Sequence, residues 1–447
     1  MKKLLKFKDF SNWLDRESAL VEMMRLDQEN GLYDQNFTMN EGGAYGHLKH
    51  PFEDFELTMG DLHKMIQDTI NGAFGPENFV QEKTDGQQLS ISWKNGKVIA
   101  ARNKSHLKNA GENAMDIAGV AQLFAGRGDI ETVYNAAMED LSASISALSD
   151  KDRTRIFEEG KKFASLEIIT PVTQNTVPYG LNMLVFHGVL EYDADGNVMD
   201  EDKQSGRDLG KLIADANQSA QKTFFVRGPQ DMDIKPFPNT AKRSSYYEKK
   251  FKEILQSCSL NDASTVYDYA LGMGRNVLND EADKAGIKLP ATSIDGLASR
   301  IADINKAYTA PMIKKELGPD ADWYTNLEKK QGKVLKRKVF APLESLFIEV
   351  GTEFMKNMSS YLSANPTEAA EAMRKEIDKT IATLRSNGGP EEIEKLEHEL
   401  SRVTAAGGME NIVPTEGITF VFKGKLYKYT GIFAPLHQIR SMLAYKK

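Results

Sequence analysis

Residues 79 to 105 constrain this chain more than any other stretch. Gln81-Glu82-Lys83-Thr84-Asp85-Gly86 is polar and closed by a glycine, after the apolar pair Phe79-Val80. Leu89, Ile91 and Trp93 then alternate with polar residues, the period of a strand with one buried face. Asn95-Gly96 supplies the two positive-φ positions of a tight turn. Val98 to Arg102 returns as the partner strand, an arrangement expected to bring Arg102 and Lys104 back toward Lys83. A lysine ahead of a hairpin with an arginine returned beside it outlines an anion site.

Further strands are legible downstream. Phe163 to Thr170 places Leu166 and Ile168 on one face and Glu167 on the other, and a carboxylate in an apolar strand needs solvent, a cation or a hydrogen-bonding ligand. Asn182 to Tyr192 is an almost continuous apolar run, as in a central strand, and Lys222 to Arg227 reads as one more. Asp193 to Asn197 has its glycine at the fourth position where a calcium loop needs the sixth, so it reads as an acidic turn. Pro414 to Phe422 puts Ile418, Phe420 and Phe422 on one face. A turn at Lys423-Gly424-Lys425 and a returning strand to Thr430 follow.

The remainder reads as helix. Leu62, Met65, Ile66 and Ile70 share a face near the start, and connecting helices are expected over 106–160. From about Arg243 to Gly408 the pattern is long and amphipathic, with one helix from a cap near Thr367 to the stop at Asn387-Gly388-Gly389 and the next opening on Pro390. That block carries Lys329, Lys330, Lys333, Lys336, Arg337 and Lys338, with Trp323 and Tyr324 upstream. Such a run is either a solvated helix face or a contact with a nucleic-acid backbone, the rings serving for stacking. His47 and His50 lie three apart without a third ligand cluster, which favours loop histidines over a metal site.

Composition narrows the class. With 447 residues the prior is two or three domains, and 40% apolar with 27% charged residues is ordinary for a globular chain. No apolar run is long enough to span a bilayer, and MKKLLKFKDF lacks a signal peptide's apolar region. The single cysteine, Cys258, excludes an intrachain disulfide framework and a cysteine-rich zinc site. The expected compartment is the cytoplasm. A net charge of −7 argues mildly against a protein that coats nucleic acid, but phosphate contacts depend on where charge sits. No phosphate loop of the G-x-x-x-x-G-K-[ST] type occurs.

Lys83-Thr84-Asp85-Gly86 resembles the K-x-D-G box of the covalent nucleotidyltransferases, the superfamily of ATP-dependent ligases and capping enzymes. Four more segments follow in that superfamily's order. Ala101-Arg102-Asn103-Lys104 comes next, and Phe163 to Ile168 resembles the motif whose glutamate, here Glu167, faces the nucleotide. Leu184 to Val189 is similar to the motif with a purine-stacking ring, here Phe186, where the plain alternative is a core phenylalanine. Glu416-Gly417-Ile418 and the lysines after it resemble the last two motifs. Lys425 and Lys428 are spaced K-x-x-K where many ligases have K-x-K; Lys423 and Lys425 fit that spacing but sit at the turn, which favours Lys428.

The resemblance is nearest to phage-type RNA ligases, since little chain follows Lys428 and no C-terminal OB domain is expected. It implies an α+β fold. A nucleotidyltransferase core of antiparallel sheets with helices would be built from residues 76–240 and 410–447. An N-terminal, mainly helical region would span 1–75, and an all-helical inserted domain 241–409. It further implies an ATP-dependent RNA ligase acting through a lysyl-AMP intermediate to join 5′-phosphate and 3′-hydroxyl ends of single-stranded or nicked RNA or DNA. The alternatives are a DNA ligase, a capping-type enzyme, or a non-catalytic nucleotide-binding protein. Lys83 would be the nucleophile, with Arg102, Lys425 and Lys428 lowering its pKa and balancing phosphate charge. That help is needed, because a lysine of ordinary pKa is under ~0.1% neutral at pH 7. Glu82, Asp85, Gly86, Glu167, Phe186 and Glu416 would line the ATP site, with Asp85, Glu167 and Glu416 near a hydrated Mg²⁺ or Mn²⁺. Lys104 and the basic run would touch nucleic acid.

Overall fold

The structure, a computed structural model, describes residues 48–73, 80–173, 175–217, 223–228, 232, 234–304, 308–358, 361–363 and 365–444. Most of the expected N-terminal region lies outside these, as do His47, Phe79 and Lys222. The described chain is α+β, and its strand pairs are antiparallel apart from one.

The strands are β1 (Val80–Lys83), β2 (Gln87–Lys94), β3 (Lys97–Ala101), β4 (Lys162–Ile169), β5 (Met183–Tyr192), β6 (Val198–Asp202), β7 (Phe225–Arg227), β8 (Gly417–Phe422) and β9 (Lys425–Tyr429). They form two sheets. The larger runs β3-β2-β4-β5-β6, with short β7 added parallel to β5; the smaller runs β1-β8-β9. Asn95 (φ 52°) and Gly96 (φ 75°) make the expected β2–β3 turn. Asp193 accepts from the backbone N–H and side chain of Asn197, closing the acidic turn.

One face of the larger sheet, with Leu89, Ile91, Leu166, Ile168, Leu184 and Phe186, packs on helix α1 (Asp129–Ala147) through Val133, Tyr134, Met138 and Leu141. Each such fully buried side chain contributes about 1.5–3 kcal/mol of transfer free energy. The smaller sheet buries Val80, Ile418, Phe420, Tyr427 and Tyr429 in a second core with helices that precede β1 and helices that lie between β1 and β8 in the chain.

Every described element between Thr240 and Asn411 is helical. The longest, α2 (Ala321–Lys356), carries the basic run; α3 (Pro366–Asn387) and α4 (Pro390–Ala405) follow it. The cap of α3 is Asn365, two residues earlier than expected: its side chain accepts the Glu368 N–H, and Pro366 takes the first helical position, where a missing N–H costs nothing. The expected final segment of strands ends instead in a helix, α5 (Phe433–Ala444), which packs with α3 and α4 against Ile169, Met183 and Val185 on the second face of the larger sheet. No described helix is long and apolar enough to cross a membrane.

Candidate active site

Lys83 is the last residue of β1 and lies opposite Gly417, the first of β8. Gly417 has φ 154°, and a Cβ there would stand 2.0 Å from the Tyr429 carbonyl oxygen, so only glycine lets β8 start this close to β9. The same crossing carries Glu416 to Lys83. The Lys83 ammonium donates to Glu416 Oε1, joining side chains 333 positions apart that are 15% and 6% exposed.

The next three residues cross to the larger sheet. Thr84 Oγ1 lies 3.2 Å from His187 Nε2. Asp85 Oδ2 accepts the backbone N–H groups of Thr176 (2.7 Å) and Val177 (2.8 Å), and its own N–H donates to the Tyr179 hydroxyl at 2.9 Å. Gly86 N–H donates to Glu167 Oε2 at 2.9 Å. A Cβ on Gly86 would come within 2.9–3.1 Å of Ile169, Ile168 and Glu167, so the glycine is what allows the box to lie on β4.

His187 reaches this cleft through an irregularity. Between Ser165 and Leu166 the β4–β5 register slips, pairing Ser165 with Gly188 and Leu166 with Phe186. A bulge re-aims the extra side chain, here His187, toward Thr84 and Glu167. His187 Nε2 stands 3.9 Å from Glu167 Oε1. Burial holds the imidazole below its ordinary range; Glu167 opposes that and the Lys83 charge adds to it. Burial likewise pushes the Asp85 carboxyl up, against the pull of His437, the Val177 N–H, Arg440 and Lys83. His437 comes from α5, where Nδ1 lies 3.0 Å from Thr176 Oγ1.

Glu82 points the other way, into the core of the smaller sheet. Its Oε2 accepts the Leu362 N–H at 2.8 Å, while Oε1 is buried without a partner. The neighbouring Thr415 hydroxyl already donates to the Gly417 carbonyl at 3.1 Å and has no second proton to give. Burial pushes the Glu82 carboxyl up to about 7, against the Leu362 N–H and the nearby Arg227.

Several expected residues are placed elsewhere. Phe186 is fully buried in the core with Leu89 and Leu166, so no ring face is open for a base to stack on. Arg102 continues the Val98–Ala100 face of β3; its guanidinium donates to the Gln88 carbonyl and Tyr134 hydroxyl and lies 5.2 Å from the Tyr134 ring. Glu167 points from the opposite face. Lys104 reaches Asn197 on the acidic turn rather than Lys83. Lys425 binds Asp54 (3.0 Å) and Glu56 (2.6 Å), and Lys423 binds Asp61 (2.7 Å). Lys428 is the lysine on the Lys83 face. It pairs across Thr419 with Gln81, which puts its Cα about 12 Å from that of Lys83, and it is 2% exposed.

The expected metal trio does not form a cage: among the described residues no three His, Cys, Asp or Glu side chains are grouped to hold an ion. One oxygen of each carboxylate is already engaged, Asp85 and Glu167 by backbone N–H groups and Glu416 by Lys83. Along the basic run all six cations are exposed, with Lys336 paired to Asp303 and Lys338 to Glu281. Tyr324 is not a stacking ring, since it is buried and donates to the Leu297 carbonyl.

Sequence reasoning passed over Thr84, Tyr179 and His437. Thr84 occupies the variable position of K-x-D-G, where the direction of its side chain toward a bulged histidine has no local signal. Tyr179 and His437 lie in a loop and on a terminal helix whose contacts with Asp85 are wholly tertiary. Compared with known proteins, the chain matches no family model, no curated protein and no solved structure.

Proposed function

We propose that this chain is a covalent adenylyltransferase of the polynucleotide-ligase kind, with an RNA end as the first-choice acceptor. The observation that carries the reading is the Lys83 amine held against Glu416 in a largely buried cleft, with Asp85, Glu167 and His187 around it. In this reading the Lys83 nitrogen attacks the α-phosphorus of ATP, the bond from that phosphorus to the β-phosphate oxygen breaks, and pyrophosphate leaves. Glu416, already in contact, accepts the proton the amine must lose. The AMP then passes to a 5′-phosphate, and a 3′-hydroxyl displaces it to seal the strand. Glu167 and the Asp85 loop orient the K-x-D-G segment, and His187 adds a polar group to the wall. A divalent ion, when it arrives with the nucleotide, would neutralise phosphate charge. Among the described residues no three-ligand cage awaits it.

The test is incubation of fully de-adenylylated protein with α-labelled ATP and Mg²⁺. Label is expected to attach covalently, survive denaturation and vanish in Lys83→Ala; a folded wild type that takes no label refutes the reading. Labelled GTP separates a capping-type enzyme, and nicked duplex against single-stranded RNA separates the ligases. A second reading, a nucleotide-binding protein without transfer, draws on the turning away of Arg102 and the burial of Phe186. It predicts ATP binding without covalent label.

A further inference from the structure

A cavity of about 250 Å³ opens beside the Lys83 cleft, between β9, the basic stretch of α2, α4 and α5. Lys428 lines it and is almost wholly buried; Arg337, from the basic run, lines it too and is exposed. Three imidazoles, His50, His398 and His437, complete the polar wall. The wall also carries carboxylates, but each has a partner. Arg402 binds both Glu344 and Glu399 at 2.5 Å, and Glu53 accepts the His50 backbone N–H at 2.7 Å. Burial also pushes the Glu344 carboxyl toward its neutral form. Arg337 is in no ion pair among the described residues.

We infer that this cavity binds a small phosphate-type oxyanion, of the size of pyrophosphate or inorganic phosphate. The volume is below the roughly 300–1,000 Å³ that encloses a drug-sized molecule, so it suits a polyanion fragment rather than a whole nucleotide. A planar guanidinium at the exposed side and an ammonium at the buried side are donors suited to phosphate oxygens. Two sources could supply such an anion. One is pyrophosphate released at Lys83, about 12 Å away along the same sheet face, which rests on the function proposed above; the other is free phosphate.

Calorimetric titration of nucleotide-free protein with pyrophosphate, and separately with phosphate at matched ionic strength, tests the inference without any covalent step. Saturable one-to-one binding is expected, retained in Lys83→Ala, weakened about tenfold in Arg337→Ala, and lost in Lys428→Met. Lys333→Ala, which removes an exposed cation one turn away that does not line the cavity, should leave affinity within about twofold. Pyrophosphate binding tenfold tighter than phosphate assigns the released product; the reverse assigns the free ion. Non-saturating heats, or equal losses in Arg337→Ala and Lys333→Ala, overturn the site in favour of a diffuse field. Should Lys428→Met fail to fold by circular dichroism, the comparison of the two exposed-residue variants decides alone.

Discussion

Glu82→Gln should make the protein more stable at alkaline pH while changing little under mildly acidic conditions. Glu82 is 3% exposed, one oxygen accepts the Leu362 N–H, and the other has no donor. Burial, the largest cause, raises its carboxyl from 4.5 to about 7. In the unfolded chain the group ionises above about 4.5; in the folded chain it keeps its proton until about 7. The folded state therefore binds the extra proton across that window, and stability falls as pH rises through it. At 1.36 kcal/mol per tenfold change in proton affinity, the full loss above pH 7 is about 3 kcal/mol, an upper bound if the site relaxes. Glutamine keeps the acceptor for Leu362, supplies a donor like the protonated acid, and never ionises. Urea unfolding followed by tryptophan fluorescence should give similar stabilities for the two proteins at pH 5. At pH 8 the variant should lead by about 1–3 kcal/mol. Parallel profiles between pH 5 and 8 would show that Glu82 is solvated or neutralised in the folded protein, and the burial reasoning would fail.

Three further outcomes follow from the placements. Phe186→Ala should cost about 3–5 kcal/mol in chemical denaturation and impair ATP binding only in proportion to lost folding; a stable variant with a selective nucleotide defect would contradict the buried placement. Glu416→Gln should abolish adenylate labelling and lower stability by about 2–4 kcal/mol by leaving a largely buried ammonium without its carboxylate. Unchanged melting would show that the ion pair is a solvated one. Gly86→Ala should lower the unfolding free energy by about 1–3 kcal/mol, because the methyl must displace the Ile168 carbonyl and neighbouring side chains; a neutral result would mean that β4 can retreat.

Strands and turns with a strong local code were legible in advance. Asn95-Gly96 could be little other than a hairpin turn, and the alternation in Phe163 to Ile169 set Glu167 opposite Leu166 correctly. The resemblance put Lys83 and Glu416 in one site, and the β1–β8 register brings the two side chains into contact. What failed did so where facing had to be decided. Leu184 to Val189 is apolar on both faces, so nothing local says whether Phe186 or His187 meets the cleft, and the register slip at Ser165/Leu166 settles it for His187. Lys425 and Lys428 are an odd number of positions apart and so must face opposite ways on one strand. Arg102 has the parity of Val98 and Ala100, which sends it to the core face, where Tyr134 and Phe124 receive it.

The pairing of Val80–Lys83 with residues beyond position 416 has a consequence during synthesis. At roughly 5–20 residues per second, a ribosome needs roughly 17–70 seconds after making the first strand before it delivers the second. Throughout that interval the nascent polypeptide carries the Lys83 segment with an exposed edge and without Glu416, a natural target for chaperones. A message cut short anywhere in that span yields a product that lacks the partner strand and so has no assembled cleft. Under the proposed function, incomplete copies of this protein should therefore take no adenylate label at all.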